Sequence, residues 1–271
     1  MSAQIMAIIN TSLESFSGDG IQVNDEVALE HKIQTALAEG ADILDIGGQS
    51  TRPNAEIISV QAEIARVVPA IRIARRLSLD IPISIDTFKP EVARAALEAG
   101  ASILNDVTGF EDERMVQLAA ENTCDIVVMH MRGTPQTMSM LTTYPHGVVT
   151  EVKECFVTRT NELIAAGIAA QRIIIDPGIG FAKTAAQSYE LTHHLSKLKA
   201  LGFRVLYGAS NKSFIGKALA HHDEIAEIKD RAVGTVVVQT CALLGGADIV
   251  RAHDVASAVQ TRTIVEALIK S

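Results

Sequence analysis

Short apolar runs alternate with longer amphipathic ones along the whole chain. The short runs fall at Ile5–Asn10, Ile43–Ile46, Ile83–Asp86, Ile103–Asp106, Ile126–His130, Ile173–Asp176, Val205–Gly208 and Ile249–Arg251. Their aliphatic, β-branched composition suits parallel strands buried on both faces. Between them the apolar spacing turns helical, over Asp25–Glu39, Ile57–Leu77, Pro90–Ala99, Asp112–Ala120, Gly147–Ala166, Ala186–Leu201, Asp230–Leu244 and Val255–Ile269. Several of these helices run into a glycine before the next strand, as at Gly40 and Gly100, the residue that best ends a helix returning to a sheet. Strand and helix alternate without a linker or low-complexity segment. The pattern predicts one (β/α)8 TIM barrel domain spanning 1–271, with its active site at the C-terminal ends of the strands. A doubly wound open sheet is the alternative, but Asn10–Gly20 lacks the G-x-G-x-x-G that such a fold places after its first strand.

The barrel reading is tested by where polar residues fall, and each predicted strand ends at or beside one able to do chemistry. The tips carry Asn10, Asp45 with Ser50-Thr51-Arg52, Asp86, Asn105 with Asp106, His130, Asp176, Ser210 with Lys212, and Arg251 with His253. The sharpest case is R-I-I-I-D-P-G-I-G-F-A-K-T (Arg172–Thr184). There a buried strand stops at Asp176, Pro177 cannot continue the ladder, and Gly178 and Gly180 allow close backbone approach to a ligand. Each residue also has a plainer explanation: Asp176 capping its own loop, Asp45 a buried structural carboxylate, Asp106 a helix cap, His130 a satisfied core histidine.

Composition narrows the field. Nearly half the residues are hydrophobic but only 4% are aromatic, so the core is aliphatic. A net charge of −8 without a Lys/Arg-rich run argues against nucleic acid or an anionic membrane as partner. Any anionic ligand must be met by a few placed cations. Cys124, Cys155 and Cys241 are too far apart for a metal knuckle and odd in number, so they read as reduced, mostly buried thiols. The apolar run Ile5–Ile9 is too short for a leader or a membrane span and follows no basic segment, so a soluble, cytoplasmic protein is expected.

The tip residues divide into two sets. Asp86, Asn105 and Asp176, with Lys212, are rich in hydrogen-bond acceptors. Paired carboxylates fit the general acid and base of glycoside cleavage. They fit equally a grip on a ligand with several N–H donors, such as an aminopyrimidine edge. Asn10, Thr51, Arg52, Arg251 and His253 form an anion-friendly set, with Arg52 after G-G-Q-S-T resembling a phosphate clasp. Arg251 and His253 have a plainer explanation in a surface ion pair with Asp254. The pairs His193-His194 and His221-His222 face no carboxylate cluster in sequence and are read as solvated.

Short motifs in order give a specific resemblance over almost the whole chain. They are Ile9-Asn10 with Ser15-Phe16-Ser17, D-I-L-D-I-G-G-Q-S-T-R-P (Asp42–Pro53), I-S-I-D-T (Ile83–Thr87), I-L-N-D-V (Ile103–Val107), V-V-M-H (Val127–His130), D-P-G-I-G-F-A-K-T (Asp176–Thr184), K-S-F-I-G (Lys212–Gly216) and R-A-H-D (Arg251–Asp254). In these the sequence resembles the dihydropteroate synthases, pterin-binding barrels that join 6-hydroxymethyl-7,8-dihydropterin diphosphate to p-aminobenzoate and release pyrophosphate. The resemblance implies a pterin site of Asp86, Asn105, Asp176 and Lys212 walled by Met129 and Phe181. It implies a diphosphate site of Asn10, Thr51, Arg52, Arg251 and His253, with Asn10 also a ligand of Mg2+. Lys212, Arg52, Arg251 and His253 would be the catalytic set, and Phe16, Pro53, Phe181 and Ser213 would border the p-aminobenzoate pocket that sulfonamides occupy in the family. A homodimer packing outer helices and small-molecule substrates are the partners it implies.

Three places depart from the family pattern. Ser12-Leu13-Glu14 replaces the usual Thr-Pro-Asp of the first loop, Asn211 replaces an arginine before Lys212, and Gln49 stands where glutamate is usual. The donor half is therefore expected intact and the acceptor half altered. The consequence would be weaker p-aminobenzoate binding, sulfonamide insensitivity or another amine. A pterin-binding methyltransferase module that hands a methyl group to a corrinoid protein is a further alternative. It needs no diphosphate clasp, so Arg52, Arg251 and His253 count against it. A non-catalytic binding module would leave the lysine and the anion site idle.

Overall fold

The computed structural model describes residues 2–11, 26–50, 57–220 and 224–270. Its strands are β1 (Gln4–Asn10), β2 (Ile43–Gly47), β3 (Ile83–Asp86), β4 (Ile103–Asp106), β5 (Asp125–Met129), β6 (Ile173–Asp176), β7 (Arg204–Tyr207) and β8 (Ile249–Ala252). Each pairs in parallel with the next, and β8 returns to β1 through Gln4↔Ile249 and Ile5↔Val250, closing the barrel. The helices outside it are α1 (Glu26–Ala38), α2 (Val60–Leu77), α3 (Pro90–Ala99), α4 (Glu113–Glu121), α5 (Val148–Ala165), α6 (Ala185–His193), α7 (Leu195–Lys199), α8 (Ser213–Ala218), α9 (Ala232–Leu244) and α10 (Val255–Lys270). The (β/α)8 expectation is met, with strand limits within a residue or so of those read from the apolar runs.

Strand alternation sorts the side chains into two cores. Ile5, Ala7, Leu44, Ile46, Ile85, Leu104, Val128, Ile175 and Val250 face outward into the layer between sheet and helices. Met6, Ile43, Ile103, Val127, Ile174, Leu206 and Ile249 face inward and form a separate apolar plug in the barrel. Two residues further along a strand brings the same inward face one layer higher. From the plug that step reaches Ile8, Asp45, Asn105, Met129, Asp176, Gly208 and Arg251. The plug is thus the apolar floor of a polar cavity, and strand geometry alone aims these residues into it. Ser84 takes the inward place on β3 beneath Asp86, and its buried hydroxyl lacks a hydrogen-bond partner among the described residues.

Helix boundaries differ from expectation in three places. The run Ala186–Leu201 is two helices, α6 and α7, parted at His194, whose backbone leaves the helical region (φ −103°, ψ 23°). Ile57 precedes α2 and is exposed; the helix starts after Ser59, whose hydroxyl accepts from the Ala62 N–H at 3.2 Å. The first turn read into α9 is a 3-10 turn, Ile228–Arg231. Gly100 closes α3 as expected, at φ 114°, with Ala101 N–H donating back to Ala96 O at 2.9 Å. The cysteines correct the reading of mostly buried thiols: Cys124 is buried, while Cys155 on α5 and Cys241 on α9 lie on exposed helix faces.

Candidate active site

Asp45 lies at the centre of the cavity, fully buried. One of its oxygens accepts from Arg251 Nε at 2.6 Å, and Asn105 Nδ2 donates to the carboxylate at 3.3 and 3.4 Å. The other reachable nitrogen of the guanidinium, Nη2, donates to Asp86 Oδ2 at 2.8 Å. Asp86 and Asn105 are register partners on β3 and β4, as are Met129 and Asp176 on β5 and β6, so the ring of polar tips follows strand order. Arg251 therefore faces inward and pairs across the barrel rather than with Asp254. That residue instead caps α10, taking the Ser257 N–H at 2.9 Å.

Burial sets the protonation chemistry. It pushes the Asp86 carboxyl up to about 7, against the pull of Arg251 and with help from Asp45 and Glu63. It raises Asp176 too, opposed chiefly by Lys212. Burial works against the Arg251 charge, but Asp45 and Asp86 outweigh it and hold that guanidinium above the ordinary arginine range. Lys212, at the start of α8, is brought down to about 8 by burial, with Asp176 opposing. Its ammonium donates to Ile179 O at 2.5 Å and lies 4.6 Å from the centre of the Phe181 ring. Three carboxylates, two cations and a carboxamide thus share one cavity.

The Asp176 loop is fixed by its backbone and by a lysine. Asp176 Oδ1 accepts the Gly178 N–H at 2.8 Å, so the aspartate does cap its own turn as well as close the strand. Gly178 sits at φ 63°, and any Cβ there would run into the carbonyl oxygen of His130, so only glycine fits. Lys183 is buried, and its Nζ meets His130 Nδ1 at 2.9 Å, Phe181 O at 2.8 Å and His130 O at 3.2 Å. Burial with the nearby Lys183 charge depresses the His130 ring to about 2, which makes it a neutral acceptor. His130 is thus the satisfied core histidine, and Asp106 takes backbone N–H groups of Thr108 (2.8 Å) and Phe110 (3.1 Å) in a turn before α4. Lys183 itself was not singled out in the sequence.

On the far side, the Ser210 hydroxyl accepts the His253 N–H at 3.3 Å and lies 3.0 Å from His253 Nδ1. A hydroxyl carries two lone pairs and one proton, so Ser210 can hold the ring through Nδ1 in either tautomer while still accepting the His253 N–H. Asn10 stands at the tip of β1, half-buried. Ser213 is exposed at the first turn of α8. Thr51, Arg52, Pro53 and Phe16, with the first-loop departure at Ser12-Leu13-Glu14, lie outside the described residues.

The other two departures have local explanations. Asn211 has φ 58°, a left-handed conformation that asparagine tolerates better than most side chains. Its N–H goes to Thr235 Oγ1 at 3.2 Å and its carbonyl accepts from Arg231 Nη1 at 2.8 Å, so the backbone holds the turn. Gln49 Oε1 accepts from Lys89 Nζ at 2.7 Å and from the Ile58 N–H at 3.3 Å. Lys89 also donates to Ile58 O and to the buried Glu63, each at 2.7 Å, and Glu63 takes the Thr87 hydroxyl at 2.7 Å. Glu63 and Lys89 were missed in the sequence. A signal was present, because Glu63 falls on the α2 stripe of Val67, Ala70 and Ile71, where a carboxylate must be paired.

A family model described as pterin binding enzyme matches residues 6–253. The dihydropteroate synthase of Synechocystis sp. is 46% identical over 266 residues, covering 97% of this chain and 89% of that protein. The Yersinia pestis dihydropteroate synthase, solved as a sulfonamide drug complex, superposes with a TM-score of 0.93 at 34% identity, covering 100% of this chain and 95% of that one. The Xanthomonas albilineans dihydropteroate synthase with 4-aminobenzoic acid gives 0.89 at 36% identity, over 100% of this chain and 94% of that one. With a family match over most of its length, a closed parallel barrel and full-length likeness to these enzymes, the chain belongs to the pterin binding enzymes, among the dihydropteroate synthases.

Proposed function

We propose that the chain, as one pterin-binding barrel domain, condenses 6-hydroxymethyl-7,8-dihydropterin diphosphate with p-aminobenzoate, giving dihydropteroate and pyrophosphate for folate synthesis. The observation that carries the reading is the bonded cluster of Asp45, Asp86, Asn105 and Arg251, buried at Asp45 and Asn105 and half-buried at the other two, inside a chain 46% identical to a dihydropteroate synthase. Asp86, Asp176 and Asn105 take the N–H donors of the pterin head, because carboxylates accept such an edge in pairs and a ligand lacking it strands a buried charge. Asn105 Nδ2 is already given to Asp45, which leaves its Oδ1 as the acceptor. Lys212 holds the pterin's carbonyl side while Met129 and Phe181 wall the ring. Arg251, His253, Thr51 and Arg52 take the diphosphate. Phe16, Pro53, Phe181 and Ser213 border the p-aminobenzoate.

The substrate's C–O bond breaks first and its electron pair leaves with pyrophosphate. The electron-rich pterin carries the resulting exocyclic cation. The aniline nitrogen then forms the C–N bond and gives up a proton. Arg251 and His253 stabilise the charge that develops on the departing oxygens, which is electrostatic catalysis and requires no protein nucleophile.

Mg2+ fits this donor set in one way. Among the described residues no group of three or more His, Cys, Asp or Glu offers a protein cage. Mg2+ usually takes one or two protein oxygens and completes its shell with phosphate and water. Asn10 would supply that protein oxygen, and the ion would neutralise charge on the diphosphate.

Among the described residues no helix is long and apolar enough to cross a membrane. A cytoplasmic location is supported by three free cysteines in an unbridged chain. A homodimer is supported by an apolar stripe on α9 and α10, where Val233, Val237, Ile264 and Leu268 are each more than half exposed. Val236, Thr240 and Val265 line the groove between the two helices.

The test is pyrophosphate release from the pterin diphosphate with Mg2+, with and without p-aminobenzoate. Release that depends on p-aminobenzoate and yields dihydropteroate is the expected result; no release at all overturns the reading. A second reading, an altered amine acceptor, is favoured by Asn211 standing where the family carries arginine. Release without dihydropteroate would point to it, and normal affinities for p-aminobenzoate and a sulfonamide would remove it.

A further inference from the structure

Arg251 and Asp86 belong to opposite halves of the proposed substrate, yet in the free molecule they are bonded to each other at 2.8 Å. We propose that Asp45 and Asp86 form a dock that Arg251 fills in the absence of ligand, and that the arriving pterin head takes Asp86 and sends the guanidinium to the diphosphate. The two halves of one substrate then bind cooperatively. The inference rests on the function proposed above.

The chemistry of the dock favours such an exchange. The Nε and Nη2 edge of a guanidinium is a planar N–C–N donor pair, the same pattern an aminopyrimidine edge presents. Arg251 places that edge across two carboxylates, Nε on Asp45 and Nη2 on Asp86, at 2.6 and 2.8 Å. The two carboxylates differ in environment. Asp45 is wholly buried and is also bonded to Asn105, whereas the Asp86 side chain keeps 12% of its surface open to the cavity. Asp86 is therefore the carboxylate a ligand can reach, and Asp45 is the pivot that keeps Nε while Nη2 swings. Asp45 was in neither predicted set. It holds one member of each, which makes it a positioning residue for both.

Energetics supply the coupling. A pterin head alone must replace a charged pair with neutral hydrogen bonds and leave Arg251 without its second anion. Pyrophosphate alone must draw the guanidinium away from Asp86. When both arrive, each provides the partner the other removes, so neither cost is borne. By linkage the gain is the same whichever binds first. After the reaction the sequence reverses: loss of pyrophosphate returns Arg251 to Asp86, where it competes with the pterin head of the product and speeds its departure.

Calorimetric titration with two fragments, 6-hydroxymethylpterin and inorganic pyrophosphate with Mg2+, tests this. The expected result is that each fragment raises the other's affinity by about fivefold or more, equally in both directions. If both bind but independently, the exchange is overturned and the proposed function stands. If neither binds, both are overturned. Asp86→Asn should raise the affinity for pyrophosphate alone by a similar factor and abolish the coupling. Asp176→Asn removes a charge from the same cavity, one that acts on Arg251 at a distance without bonding to it, and should leave pyrophosphate affinity within about twofold. Equal gains in the two variants would trace the effect to cavity charge and overturn the exchange. If Asp86→Asn does not fold, the wild-type coupling decides alone.

Discussion

Asp86 is a carboxylate that burial pushes up to about 7, within reach of ordinary assay conditions. As acceptor for the N–H donors of a pterin it must be ionised, so each proton bound below that pH has to be removed before the ligand seats. The sign follows: affinity for 6-hydroxymethylpterin is lost as pH falls through about 7, where it is about half its full value, and the fall approaches tenfold or more per unit from about a unit lower. Titrations between about pH 5.5 and 7.5 check this. A flat profile would take Asp86 out of the pterin grip, and in Asp86→Asn the dependence should weaken to the part that the raised Asp176 carboxyl contributes. At this scale the sequence was legible wherever a polar residue ended an apolar run, which picked out Asp86, Asn105, Asp176 and Arg251. It was not legible for partners. Asp45 meets Arg251 at a separation of 206 positions, and no local pattern encodes that pairing. Lys183 stayed hidden because two of its three acceptors belong to His130, 53 positions away.

The loop after β2 is held at its base by one side chain from the turn after β3. Lys89 binds Gln49 at one end and Ile58 at the other, with Glu63 of α2 behind it. The segment between those ends carries Thr51 and Arg52, assigned above to the diphosphate. Lys89→Met removes the ammonium tie, leaving Glu63 a buried carboxylate with Thr87 as partner and the ends of the loop joined by the longer Ile58 N–H to Gln49 Oε1 bond of 3.3 Å. The expected outcome is a drop of about fivefold or more in pyrophosphate affinity, with 6-hydroxymethylpterin affinity within about twofold, since Asp86 and Asn105 keep their own strands. Equal loss of both would mean that Lys89 supports only general stability. Element existence was readable from periodicity, because parallel strands and amphipathic helices leave different periods. What escaped were elements too short for a period, α7 and α8. The latter begins inside the K-S-F-I-G motif, and its six residues are too few to show a period.

For the whole molecule, the exposed stripe on α9 and α10 is the surface most in need of a cover. Leu268 is 62% exposed and Ile264 63% exposed on the same helix, facing the groove shared with Val236 and Thr240. Leu268→Glu should shift a dimer to monomer in analytical ultracentrifugation while leaving the pterin affinity of each chain intact, because α10 lies outside the barrel. A wild-type protein that is already monomeric would remove the dimer. The closure of the barrel carries a different consequence, for synthesis. Arg251 comes from the last strand and Asp45 from the second, so a chain leaving the ribosome holds Asp45 and Asp86 without their guanidinium until β8 emerges. With Arg251 206 positions after Asp45, and translation at about 5–20 residues per second, that wait is roughly 10–40 seconds. Throughout it β1 has an unpaired edge, and the carboxylates destined for the cavity have neither Arg251 nor a finished pocket. The substrate therefore cannot act as a template for the nascent chain; its stabilising effect is reserved for the molecule that has closed its ring.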